Sequence, residues 1–216
     1  MKKKTLTIAI ALVLVVALAV GATWAYLTAK TEVVTNTFTV GKLFDQGGAL
    51  TLKEHEQTYN AATGTYTKGD WQEHGQNYMV QPGLDIPKDP TVNLEKLSVD
   101  TSAYVFIGVA GAPADNFNWS VDSKWTKLTD ASGNDVKQTV GGVEYTIYTL
   151  ASGKVTATAG SQDFSYNVLT NDTITVGKDF AVADASGLKI GVIAYACQAT
   201  TFADAYAAFN ACFATK

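Results

Sequence analysis

Two histidines, His55 and His74, are the only imidazoles in this 216-residue chain, and the carboxylates Glu54, Glu56, Asp70 and Glu73 stand around them. Imidazole nitrogen and carboxylate oxygen are zinc ligands, so the residue types point to metal chemistry. The spacing points away from it. The common zinc-protease arrangement sets two histidines on one helical face with a glutamate between them as base, and His55-Glu56-Gln57-Thr58-Tyr59 lacks the second histidine. Asp130-Ala-Ser132-Gly-Asn134-Asp135 opens like a calcium loop, but Asp135 and Gly141 stand where an EF-hand needs glycine and glutamate, so it reads as a polar turn. Extracellular β-sandwiches also take calcium at loop carboxylates without any motif, so zinc and calcium stay open and no cofactor is assigned. Serine catalysis has no support, because no Gly-x-Ser-x-Gly elbow occurs and neither histidine has a recognisable partner serine. Asn118-Trp-Ser120 and Asn171-Asp-Thr173 match the glycosylation acceptor pattern and are read as chance. Binding or structure, rather than catalysis, is the expected role.

The elements that would position these residues begin after a targeting segment. Lys2, Lys3 and Lys4 form a basic start, and Thr5 to Val20 form an uncharged apolar run. Its length of about 16 residues falls short of the roughly 20 that span a bilayer, so residues 1–25 read as a secretory signal peptide. Thr23-Trp24-Ala25 offers small side chains where a signal peptidase needs them, which places the cut between Ala25 and Tyr26; length alone leaves an uncleaved anchor open. The whole chain carries a net charge of −4, and losing three lysines makes the remainder more acidic still. With no arginine anywhere, the usual reader of phosphate and guanine is missing, and nucleic acid is excluded as an expected partner. Cys197 and Cys212 lie fifteen positions apart, and in an exported chain they are expected to pair, although two free thiols remain the alternative.

Residues 26–216 read as one domain. Strand signals recur at Asn36–Val40, Ala49–Leu52, Ala103–Val109, Val143–Leu150, Phe164–Leu169, Thr173–Val176 and Leu188–Tyr195, rich in β-branched and aromatic residues and punctuated by Gly, Asn, Asp and Pro. The pattern predicts an all-β fold, a jelly-roll-like antiparallel β-sandwich. A polar, aromatic stretch at 55–81 interrupts the rhythm and reads as a long hairpin or surface excursion. Its Trp71, Tyr59, Tyr66 and Tyr78 are either stacking platforms, as on an adhesin or carbohydrate-binding module, or packing that holds the hairpin down. In the tail, Phe202, Tyr206, Phe209 and Phe213 make one apolar helical stripe, which predicts a short C-terminal α-helix over 201–213 capped at Thr201 and packed on the sheet.

Three stretches then resemble one family. Gly21-Ala-Thr-Trp-Ala-Tyr-Leu-Thr-Ala29 followed by Asn36-Thr-Phe-Thr-Val-Gly-Lys42, then Lys88-Asp-Pro-Thr-Val-Asn93 leading to Ala103–Val109, then Ile193-Ala-Tyr-Ala-Cys-Gln-Ala199, are similar in content and order to the TasA/camelysin family. The resemblance implies a Gram-positive-type bacterial envelope, export through a SipW-type signal peptidase, and a jelly-roll domain at the cell surface or in the biofilm matrix. In the best-known branch such domains polymerise into extracellular fibres, with possible minor matrix or anchor subunits. Strand donation is the implied route: the segment Tyr26 to Val40, freed by cleavage, inserts into a neighbour's sheet edge, with Val33, Val34, Phe38 and Val40 as donor residues. Pattern alone leaves open whether residues 33–43 pair with another subunit or serve as the first strand of their own domain. Camelysin-like members are also classed as metallo-endopeptidases, but no ligand motif of that activity maps onto this chain, so that activity rests on the resemblance only.

Overall fold

A computed structural model of the chain describes residues 28–31, 43–181 and 188–214, the first of these by backbone alone. The expected signal peptide, its Ala25–Tyr26 junction, the strand at 36–40 and the donor residues Val33, Val34, Phe38 and Val40 all lie outside the described residues. In chain order the described strands are β1 (Thr28–Thr31), β2 (Phe44–Asn60), β3 (Thr65–Gln72), β4 (Ile86–Pro87), β5 (Thr91–Leu97), β6 (Ser102–Ala110) and β7 (Phe117–Asn118). They continue as β8 (Trp125–Lys127), β9 (Lys137–Val140), β10 (Val143–Leu150), β11 (Val155–Thr156), β12 (Gln162–Asn167), β13 (Thr173–Val176) and β14 (Gly191–Gln198). One helix follows, α1 (Ala205–Cys212).

β6 and β14 carry the most continuous apolar runs, and the reason is that both of their faces are covered. Val105, Ile107 and Val109 of β6 alternate with Phe106, and Val192, Ala194 and Ala196 of β14 alternate with Ile193, Tyr195 and Cys197. The first set packs against Leu50, Val92 and Leu94 to form the main core, and the second packs beneath α1. Strands buried on both faces need no polar alternation. They sit centrally in a sheet ordered β1-β14-β6-β10-β8, with β11 beside β6 and β9 beside β10. The facing sheet runs β12-β5-β2-β3, and a small third sheet, β4-β13-β7, closes one end around Ile86, Phe117, Ile174 and Val176. All the strand pairs are antiparallel. The architecture is the expected jelly-roll-like antiparallel β-sandwich with a short C-terminal helix.

Several boundaries differ from the sequence reading. The helix starts at Ala205 rather than 201, because Asp204, not Thr201, is the cap: its backbone is extended and its side chain accepts the Ala207 N–H at 2.7 Å. The strand expected at Leu188–Tyr195 is Gly191–Gln198, because Leu188 and Ile190 are spent on the end cluster around Phe117 instead of on the ladder. Part of the stretch at 55–81 is a hairpin, as one of its readings had it, but the hairpin does not begin at 55 and it ends at Gln72. β2 runs unbroken from the sandwich into an arm completed by β3.

α1 covers the outer face of the β14–β6 pair through its aromatic stripe. Phe209 is buried with its ring edge-on to Phe106 and Tyr195, at centroid distances of 5.2 and 5.8 Å, and Phe213 lies 4.9 Å from Tyr195. The two cysteines meet at this contact. Both are free thiols here and they interact at this seam, where the expected Cys197–Cys212 bridge would form. Donation to Cys212, together with burial, pushes Cys197 ionisation up, while the accepting Cys212 sulfur is held below its ordinary range. Mild oxidation with diamide should close the pair, with loss of both reactive thiols. It should stabilise the fold by about 3 kcal/mol on the chain-entropy account. Cys212→Ser should remove the effect; an unchanged melting temperature after full oxidation would show that the bridge strains the helix as much as it restrains the unfolded chain.

Candidate functional site

β14 is a central strand on one side and, among the described residues, only partly paired on the other. Towards β6 it pairs along its whole length, from Gly191 opposite Ala110 to Gln198 opposite Ala103. Towards the outside, β1 covers only part of it, with Thr28 opposite Cys197 and Thr31 opposite Ala194. Gly191, Val192 and Ile193 have no outer partner strand among the described residues. A half-covered edge backed by the main core is a template for a further extended segment.

The histidines and their carboxylates sit at the base of the β2–β3 arm, where the structure separates them. His55 donates its backbone N–H to Asp89 Oδ1 at 3.0 Å and brings its ring Nδ1 to 2.7 Å from Asp89 Oδ2, while its ring stacks on Trp71 at 3.5 Å. Lys68 reaches the same carboxylate at 3.1 Å. Glu54 is buried and bound to the buried Lys88 at 2.6 Å. Glu56 and Asp70 are exposed where the β2–β3 register shifts, His74 is exposed, and Glu73 shares Lys53 with Glu95. Lysines therefore occupy Glu54, Glu73 and Asp89, while Glu56 and Asp70 stand apart at the surface. Among the described residues no three His, Cys, Asp or Glu side chains converge.

This network does a structural job. Gln76 ties the coil after β3 to the arm, accepting from the Gln57 N–H at 2.8 Å and donating to the His55 carbonyl at 2.8 Å and to the Tyr78 hydroxyl at 2.9 Å. Lys88 lies 5.2 Å from the Tyr78 ring. Burial, then the Glu54 charge, push the Tyr78 hydroxyl above its ordinary range, so it stays protonated. Tyr59 and Tyr66 stack at 5.3 Å, and Tyr66 donates to the Met79 carbonyl at 2.6 Å. Of the four aromatics weighed as platforms, these three hold the arm together, while Trp71 covers His55. The Asp130 loop is the polar turn expected, its carboxylate taking the N–H groups of Ser132 and Asn134.

Asp89, Lys88 and Lys68 were not singled out with the histidines. Asp89 stands 34 positions from His55, and only the fold joins them. No protein-family model, no curated protein and no solved structure matches the chain.

Two outcomes follow from the arm's base. Lys88→Met leaves Glu54 buried without its cation and should cost about 3–5 kcal/mol in chemical denaturation, whereas Glu54→Leu with Lys88→Met should recover most of the loss. A double variant as unstable as the single would mean that the pair itself, not the stranded charge, carries the stability. Asp89 titrates in the opposite sense from a simply buried acid. Burial raises its pKa, but the His55 N–H, the His55 ring and Lys68 outweigh that, and the net shift is downward. Its contribution is therefore full above the unfolded carboxylate value of about 3.9 and lost as pH falls through the lower folded value. Asp89→Asn should flatten the acid limb of a stability-versus-pH curve below about pH 4.

Proposed function

We propose that the chain is an exported structural protein of the cell surface or biofilm matrix, built to assemble into fibres by exchange of its N-terminal strand. The observation that carries this reading is the register of β1 on β14. Each step along β1 moves one step back along β14, from Thr28 opposite Cys197 to Thr31 opposite Ala194. Continued, the same register sets Val33 opposite Val192 and Val34 opposite Gly191, on the part of the edge that lacks a partner strand among the described residues. A neighbour's segment entering in this register makes the same ladder that β1 makes within one chain. Exchange then costs little beyond ordering the donor, and a head-to-tail contact of this kind builds filaments rather than closed rings.

Export supplies the trigger. A strand that starts at Thr28 lies two residues beyond Tyr26, so removal of the apolar segment at Ala25 by a SipW-type peptidase frees the end that must be donated. Val33, Val34, Phe38 and Val40 are the donor residues of this reading. The fit to the TasA/camelysin family rests on the three sequence stretches. No metal chemistry is assigned, and the enzyme reading of that family rests on the resemblance only.

Protein beginning at Tyr26 should form fibres visible by electron microscopy, and the same protein behind a folded N-terminal fusion should remain monomeric in size-exclusion chromatography. Val33→Asp with Val34→Asp should abolish fibres and leave the melting temperature of the monomer within a few degrees of the parent. Normal fibres from that variant would sink the donor assignment.

A further inference from the structure

The small end sheet carries a groove that neither the assembly edge nor the arm uses. It has a volume of ≈ 540 Å³ and is lined by Asn118, Trp119 and Ser120 on one side and Thr170, Asn171 and Thr175 on the other. The size falls within the range of about 300–1,000 Å³ of ligand clefts. Its lining is hydroxyl, amide and indole, with Asp85 as a carboxylate and no lysine.

The groove is held by a strained frame. Asn171 and Asp172 are consecutive non-glycine residues in the left-handed region, with φ of 57° and 52°. Such a turn persists only where the surroundings over-determine it, and outliers of this kind gather at binding sites. Here Asn167 donates to the Asp172 carboxylate at 2.7 Å, the Lys88 N–H donates to the Asp172 carbonyl at 2.8 Å, and Thr173 donates to the Asn171 carbonyl at 2.8 Å. Across the groove, Ser120 donates its hydroxyl to Thr170 at 2.9 Å, and the Thr170 N–H donates to the Ser120 carbonyl at 3.0 Å. The β7–β13 ladder sets Asn118 directly opposite Thr175.

The frame leaves its outward polar groups unspent. Asn118, Asn171 and Thr175 are exposed, and their side chains bond to no protein group among the described residues. Trp119 packs between the main core and the end cluster, and its indole N–H is out of solvent without an acceptor. Two primary amides and a hydroxyl offer donors and acceptors side by side, which matches the vicinal hydroxyls of a sugar. An anionic ligand would meet the Asp85 carboxylate with no cation in the lining.

We propose that this groove binds neutral saccharide chains. The proposal does not depend on strand exchange, since the β14 edge belongs to a different sheet and a monomer holds the complete groove.

The full chain, kept soluble in a sugar-free detergent, would be titrated calorimetrically with hexasaccharides of β-1,4-glucose, β-1,3-glucose, α-1,4-glucose, β-1,4-mannose and β-1,4-N-acetylglucosamine, and with oligogalacturonate. At least one neutral hexasaccharide should bind, and the oligogalacturonate should not. Asn171→Gly keeps the left-handed backbone while removing the amide, and Thr175→Val keeps the strand; each should weaken binding at least tenfold with an unchanged circular dichroism spectrum. Trp71→Ala, on the arm, should leave binding as it was. Silence across the neutral panel, binding untouched by both groove variants, or binding lost with Trp71→Ala would overturn the assignment.

Discussion

The constraint on which the rest of the structure depends is that β6 and β14 are buried on both faces. One face is paid for by the facing sheet, but the other presents Phe106, Ile193 and Tyr195 and would be open to water without α1. An eight-residue helix does not persist alone in water, so α1 is ordered by the surface it covers as much as it covers it. Sheet and helix are therefore one cooperative unit. The thiol pair lies at its seam, where the last turn of the helix meets the last residues of β14.

Charge is arranged by the same economy of burial. The arm formed by β2 and β3 projects little apolar surface, and a two-stranded hairpin of that kind is marginal by itself. Its stability comes from below, where Glu54 with Lys88 and Asp89 with His55 and Lys68 are held at the junction between arm and sandwich. The permanent cations of that network are lysines, as the absence of arginine requires. The β14 edge, the arm and the end groove thus belong to three different parts of the sheet framework, and each is set by local ladder geometry and not by the others.

Much of the fold could be read directly. Val143–Leu150 and Thr173–Val176 coincide with β10 and β13, where Tyr145 with Ile147 and Ile174 with Val176 alternate onto the buried face. β14 was displaced in the reading because Leu188 and Ile190 are as apolar as the ladder residues yet serve another cluster. β1 has no strand pattern of its own: Thr28–Thr31 has neither length nor alternation, and it entered the reading only within the segment Tyr26 to Val40 that the family resemblance implies. The continuous β2 was obscured by the polar residues of its outer half, which look like loop but are paired. The histidine site was legible as a set of residue types and misleading as chemistry, since the cations that neutralise it come from positions far along the chain. Asn118 and Asn171 stood out only through an unrelated acceptor pattern, and nothing in the sequence joins them across one groove.

The seventeen residues of β2 also make a mechanical element. At about 3.3 Å per residue the strand measures roughly 55 Å from end to end. It exchanges partners midway, pairing with β5 up to Lys53 and with β3 from Glu54 onward. No loop intervenes at the changeover, so the arm has no hinge there. A pull on its tip travels along β2 into the β5 ladder as shear, where the hydrogen bonds are loaded side by side instead of being opened one at a time. The arm is in this sense a lever rooted in the sandwich, and a load on it is borne by the main core.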